Sequence, residues 1–363
     1  MIKSTFDNIK ISGIACAVPK QKDILLEKYV PIFGEAVVQQ FSKMTGVVSR
    51  HVTSKEQTAS DLAYTAAKNL ISHKNIEISS VDILIFVTQT PDYKFPSTAC
   101  VLHQRLGLNK DCLAFDINLG CSGYVYGLQT ISALMHSSNI KRGLLLVGDT
   151  INKCIAPQDK TSCMLFGDAG SATLLEKTSG KLPAIRTAMR TDGNGYKAII
   201  VPAGAYRNMD APAERTLWGD GNNRSEYDLY MNGTDVFNFT ISEVPLIINE
   251  FMADVGTTVN DYDALVLHQA NEYILKQVMK RTKFPKEKTP ISIDRYGNTN
   301  GTSIPITIAD SFGCKSTGEV RILLCGFGIG LSWGVVTCTV DIDDILPVIK
   351  TDESYIDGGI RHD

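Results

Sequence analysis

The chain lacks several features that would point directly to a function. Its 363 residues carry 36 Lys and Arg against 39 Asp and Glu, a formal charge of −3. With no excess of positive charge there is no electrostatic basis for wholesale nucleic-acid binding. Nine cysteines stand at 16, 100, 112, 121, 154, 163, 314, 325 and 338, and no two make a CxxC pair. The usual spacing of zinc sites and thioredoxin-type motifs is therefore absent. Most of the scattered thiols read as small buried hydrophobes of a cytoplasmic protein. Met1–Asp7 holds no basic stretch leading into an apolar one, so no secretory signal is expected. P-loop, HExxH and GxSxG motifs and metal-ligand clusters are missing. The run Gly326–Gly334 also fails GxGxxG, because the third glycine would fall at Leu331 or Trp333. No cofactor or metal is expected.

What is present is an ordinary globular composition, 44% apolar and 21% charged, at a length that suits one large or two ordinary domains. Ile322–Val340 runs without a charge and is long enough to raise a transmembrane span. Its four glycines and the β-branched Val335-Val336-Thr337 read better as two buried strands joined by a glycine turn, so no membrane association is expected. Strands are expected at Val81–Gln89, Leu113–Leu119, Gly143–Gly148, Ser162–Leu175, Ala264–His268, Val320–Cys325 and Leu331–Ile342. Helices are expected at Ser60–Ser72, Ala99–Leu106, Tyr124–Met135, Asp235–Val255 and Glu272–Thr282. Such alternation argues for an α/β architecture with buried sheets. Residues 203–226 read as a long excursion, either a substrate-facing lid or plain surface loop. The polar residues from Lys350 onward read as a tail.

Four segments carry candidate chemistry. In Asp116–Tyr124 an apolar strand ends in Gly120-Cys121-Ser122-Gly123 and a helix begins. Cys121 is thus placed near a helix N-terminus, where free N–H groups and the dipole are expected to lower the thiol pKa and make the sulfur nucleophilic. In Leu265–Asn271 a strand delivers His268 at its C-terminal end, where α/β proteins place ligands. Asp294–Gly301 sets Asn298 between glycine-rich turns, and Gly326–Gly334 can aim backbone N–H groups at a developing oxyanion.

In this order the four segments resemble the condensing enzymes of the thiolase superfamily, in particular β-ketoacyl-acyl-carrier-protein synthase III. Phe95–Cys100, Leu165–Gly170 and Met231-Asn232-Gly233 add to the likeness, which spans roughly residues 10–342. The resemblance implies an α/β fold, the five-layered αβαβα sandwich of two similar halves, 1–180 with the nucleophile and 181–363 with His and Asn, and a homodimer. It implies that Cys121 accepts the acyl group as part of a Cys121-His268-Asn298 triad, with the backbone N–H groups of Cys121 and Ile329 as oxyanion hole. Gly233 and Asn271 fall at the substrate-binding positions, and Phe95 at an aromatic that reaches the partner's acyl pocket. The implied substrates are acyl-CoA and acyl carrier protein, joined by decarboxylative condensation with a malonyl carrier.

The departures are specific. Where relatives clamp a CoA adenine between a tryptophan and an arginine ahead of a Thr-Gly pair, this chain has Gln40 and Met44 before Thr45-Gly46, with Phe41 adjacent. A carrier-docking arginine after His-Gln-Ala-Asn is replaced by Tyr273, and the glycine turn reads Gly-Ile-Gly. Lys276, Lys280, Arg281, Lys283, Lys286 and Lys288 crowd one stretch suited to an acidic carrier protein. These differences leave open an acyl transferase of secondary-metabolite or surface-polysaccharide biosynthesis that uses a non-malonyl acceptor. Hydroxymethylglutaryl-CoA synthase is disfavoured by Gln89 at its glutamate position, and degradative thiolase by the lack of a cysteine between Gly326 and Gly334.

Overall fold

Most of the apolar runs form strands buried on both faces. Ile83–Val87 reads Ile-Leu-Ile-Phe-Val, and all five residues are buried, as expected for strands covered by helices on either side. The computed structural model describes residues 1–180, 182–315 and 317–356. One sheet has six strands in the order Ile349–Thr351, Ile9–Pro19, Ala169–Lys177, Arg142–Asp149, Ile83–Val87, Leu113–Ile117. A second has five, in the order Ile2–Phe6, Ile185–Thr191, Ser332–Asp341, Glu319–Gly328, Ala264–Leu267. The chain ends cross over. Ile2–Phe6 pairs antiparallel with Ile185–Thr191 in the second sheet, while Ile349–Thr351 pairs parallel with Ile9–Pro19 in the first.

Helices Gly123–Ser137 and Ser303–Phe312 lie between the two sheets and touch strands of both. Ala59–Lys74 and Thr98–Leu106 cover the outer face of the first sheet, and Gly233–Val255 and Glu272–Thr282 that of the second. The five-layered αβαβα sandwich is the observed architecture. Its central apolar cluster draws on both sheets and both inner helices, including Val87, Leu128, Ile131, Ile304, Ile308 and Leu324.

The charge-free run is an antiparallel hairpin, Glu319–Gly328 against Ser332–Asp341, and among the described residues no helix is long and apolar enough to cross a membrane. The strand expected at Ser162–Leu175 begins only at Ala169. Before it, the Asp159 carboxylate accepts hydrogen bonds from the Thr161 N–H and the Ser162 hydroxyl and holds the chain in turns. Strands Ile9–Pro19 and Ile185–Thr191 and helices Leu25–Phe33, Glu35–Thr45 and Ser303–Phe312 were not anticipated. The last of these is buried along nearly its whole length, so it lacks the one-sided apolar stripe by which helices are read.

The excursion at 203–226 is tethered, not loose. The Arg224 guanidinium is fully buried, bonded through Nε to Asp159 at 2.6 Å and through Nη1 to Asp220 at 2.7 Å, and it lies against the rings of Trp218 and Tyr230. None of these residues lines the cavity described below, so the lid reading is set aside. The tail docks as far as Tyr355, whose ring stacks on Arg105; residues 357–363 lie outside the described residues. Arg224→Met strands Asp159 as a buried charge and is expected to cost about 3–5 kcal/mol, measured as a fall in the urea midpoint. A loss below about 1 kcal/mol, the range of exposed pairs, would show that the excursion is anchored elsewhere.

Candidate active site

Turns from both halves meet on one cavity of about 1100 Å³, with Cys121, His268 and Asn298 on its wall beside Gln89, Asn300, Phe327, Gly328 and Ile329. Cys121 is 7% exposed and sits two residues ahead of the helix Gly123–Ser137. Its sulfur donates to Asn300 Oδ1 at 3.0 Å. The main-chain N–H groups of Ile329 and Cys121 itself bond the sulfur and favour its thiolate. Burial outweighs them, and with the Asp149 charge it pushes the thiol up to about 12. The expectation of a lowered Cys121 pKa is therefore corrected: burial outweighs the main-chain N–H groups at the sulfur, and the resting sulfur is a thiol. In the Gly-Ile-Gly turn the positive φ angles fall on Gly328 (153°) and Gly330 (141°), not on Ile329. A Cβ at Gly328 would stand 2.6 Å from that of Cys121, so the close approach of this turn to the nucleophile requires glycine there.

His268 follows the buried strand Ala264–Leu267 and is 1% exposed. Its Nδ1 lies 2.7 Å from Ser303 Oγ, which also accepts from the Gln269 N–H. The serine hydroxyl is then free to donate to Nδ1, which leaves the ring proton on Nε2. Burial lowers the imidazole pKa to about 3, against a hydrogen bond to the main chain of Asn300 that raises it. Asn298 is clamped to the first half: its N–H donates to Leu165 O at 2.9 Å, and its own carbonyl accepts from Gly167 N–H at 3.1 Å. Its Oδ1 accepts from the Asn300 N–H at 3.0 Å, which leaves Nδ2 free for a ligand.

Asn271 and Gly233 also line the cavity. Asn271 Oδ1 caps the helix Glu272–Thr282 by accepting from Ile274 N–H at 2.8 Å, and Gly233 opens the helix Gly233–Val255. Phe95 is 75% exposed and does not line this cavity. Asn300, Ser303 and Asp149 were not singled out from the sequence. Asp149 ends an apolar strand, a visible oddity; for Asn300, nothing in Asn298-Thr299-Asn300 tells which carboxamide meets the sulfur. Among the described residues no cluster of His, Cys, Asp and Glu is arranged to hold a metal.

Residues 115–193 match the family model of 3-oxoacyl-[acyl-carrier-protein] synthase III, and residues 252–340 match the model of its C-terminal part. A putative 3-oxoacyl-[acyl-carrier-protein] synthase 3 of Campylobacter jejuni is 33% identical, covering 92% of this chain and 94% of that protein. The chain belongs to the β-ketoacyl-acyl-carrier-protein synthase III family. A Clostridium perfringens β-ketoacyl-[acyl-carrier-protein] synthase III is 32% identical over 90% of this chain and 98% of its own. The crystal structure of 3-oxoacyl-(acyl-carrier protein) synthase from Burkholderia xenovorans superposes with a TM-score of 0.90 at 36% identity, covering 96% of this chain and 99% of that one.

The helix Glu35–Thr45 forms part of the mouth of the cavity. Gln40, Lys43 and Met44 of the helix Glu35–Thr45 line it, whereas Phe41 turns inward to pack with Leu25, Tyr29 and Val38. Across the mouth Tyr273 stacks on Phe237, ring centroids 5.7 Å apart.

His268 also makes stability depend on pH. The unfolded chain takes up a proton near pH 6.5, the folded one only near 3. The unfolded state therefore binds more protons between these values, so stability falls as pH drops through that window, by up to about 1.4 kcal/mol per unit. Urea melts from pH 7 to 4 are expected to give a shallower acid loss for His268→Gln than for the parent; equal slopes would contradict the buried neutral imidazole.

Proposed function

We propose that the protein is a decarboxylating condensing enzyme that loads an acyl group onto Cys121 and extends it with a malonyl group on acyl carrier protein. The observation that carries this reading is the arrival of a thiol, an imidazole N–H and a free carboxamide N–H from separate turns on one cavity wall. Cys121 Sγ attacks the acyl thioester, the donor's C–S bond breaks, and the thiol proton leaves on the departing thiol. The result is a covalent acyl-enzyme that divides the reaction into two easier steps. The N–H groups of Cys121 and Ile329 hold the tetrahedral oxyanion, a term worth about 3 kcal/mol per donor in comparable sites. Asn298 Nδ2, and His268 Nε2 once it exchanges the Asn300 carbonyl for substrate, donate to the thioester oxygen of the malonyl group. They stabilise the enolate left by loss of carbon dioxide, whose carbon attacks the acyl-enzyme. A neutral imidazole suits this role, because it donates without adding a charge to a buried wall.

Two features favour a donor carried by protein. The mouth presents Gln40 where relatives place a stacking aromatic, and Phe41 faces the core instead. Lys276, paired with Glu272 at 2.9 Å at the mouth, adjoins a neighbouring groove of about 380 Å³ lined by Lys280, Lys283 and Lys286, a positive track for an acidic carrier. Lys288 is not part of it, since its ammonium is bound to the carbonyls of Val259 and Tyr262. A homodimer fits the edge of Leu113–Ile117, unpaired among the described residues, where Leu113 is 48% exposed, and the outward Phe95. The altered mouth also keeps a second acceptor class in view, a non-malonyl nucleophile.

Intact-mass analysis after exposure to acyl-carrier and acyl-CoA panels is expected to find one acyl group on the parent and none on Cys121→Ser. His268→Ala and Asn298→Ala should acylate but release labelled carbon dioxide from the malonyl carrier about 10²–10³-fold more slowly. Normal condensation by both single variants would refute the triad. Acylation of the parent without any carbon dioxide release would favour the non-malonyl acceptor.

A further inference from the structure

The turn that supplies Asn298 brings a second carboxamide to the sulfur. Asn300 is 3% exposed, holds φ at +52°, and touches all three members of the triad. Its N–H donates to Asn298 Oδ1 at 3.0 Å, its main chain bonds the His268 ring, and its Oδ1 accepts the Cys121 S–H at 3.0 Å. Its Nδ2 donates to Asp149 Oδ2 at 2.8 Å. Asp149 is 1% exposed, and its other oxygen accepts from the Gln89 N–H at 2.7 Å and from the hydroxyls of Thr88 and Thr90. Both oxygens of Asp149 accept here, so the amide turns Nδ2 to Asp149 and Oδ1 to the sulfur.

We propose that Asn300, locked by Asp149, is a positioning residue for acyl transfer: its carbonyl oxygen takes the Cys121 S–H, aims the sulfur at the oxyanion turn and keeps it protonated until a thioester arrives. This rests on the acyl-transfer reading above. The titratable groups facing Asp149 are Cys121, across the Asn300 amide, and Cys154 from the turn Ile151–Cys154; Thr88, Gln89 and Thr90 face it as neutral donors. The Asp149 charge opposes a thiolate at Cys121, and burial brings Asp149 itself up to about 7. Loss of the amide removes the acceptor of the S–H and also one donor to Asp149. Both changes make the sulfur easier to ionise, while its aim is lost. Faster ionisation with slower acyl transfer is a combination that mere packing by Asn300 does not produce.

Asn300→Gly deletes the amide and keeps the positive φ free of strain. The rate of Cys121 alkylation by iodoacetamide between about pH 6 and 9, followed by mass, measures ionisation independently of any acyl donor. In Asn300→Gly we expect alkylation about tenfold faster at fixed pH, a profile moved down by about one unit. Acylation is expected to lose about tenfold in kcat with little change in KM. Asp149→Asn should move the alkylation profile in the same direction, and it decides on that profile alone if Asn300→Gly does not fold. Unmoved profiles in both variants, or acylation by Asn300→Gly at the parental rate, would overturn the proposal. A parent that accepts no acyl group from any thioester refutes the acyl-transfer reading, and the alkylation profiles still judge the Asn300 lock.

Discussion

The site depends on two turns that approach within van der Waals distance. A Cβ on Gly301 would stand 2.8 Å from the Gly120 carbonyl oxygen, and one on Gly120 would stand 2.9 Å from Asn300 Oδ1. Only a pair of glycines lets the asparagine turn of one half lie on the nucleophile turn of the other. The contact is secured from the opposite side, where Asn298 forms a parallel bridge with Phe166. Because Leu165–Gly167 binds the main chain of Asn298, its amide is held by the first half although the sequence places it in the second.

Within this contact, chemistry is arranged through hydrogen-bond direction more than through charge. Burial raises the Cys121 thiol and lowers the His268 imidazole, so both rest neutral. Asp149, buried behind Asn300, is the acidic group whose charge reaches the sulfur, and it is met by hydrogen bonds from Thr88, Gln89, Thr90 and Asn300. Such an environment stores little charge before reaction and presents N–H groups where an oxyanion or enolate develops, the arrangement in which preorganised dipoles count most. The sandwich buries its floor: the helix that begins after Cys121 lies between two sheets and shares their central apolar cluster.

The sandwich was legible from the alternation of apolar segments, and Cys121, His268 and Asn298 were picked out as turn residues whose order resembles that of the synthase III segments. A cysteine between glycines after a strand, or a histidine ending Leu265-Val266-Leu267, stands out against the core pattern. The inner helix Ser303–Phe312 was illegible for the opposite reason: buried on nearly all sides, Ile-Pro-Ile-Thr-Ile carries no amphipathic period. The excursion at 203–226 looked solvated because its polar residues were counted without their partners. Arg224 and Asp159 neutralise each other beneath the surface although 65 residues separate them.

The sequence by itself determined the alternation of buried strands and helices, the hairpin that replaces a membrane span, and the residue types able to carry acyl chemistry, since these follow from local periodicity and turn chemistry. Only the tertiary structure decided which asparagine meets the sulfur, that Asp149 stands behind it, and that the resting nucleophile is a thiol. Ionisation and hydrogen-bond pairing are set by which groups share a low-dielectric space. That space exists only after residues 121, 149, 268 and 300 have been folded onto one another.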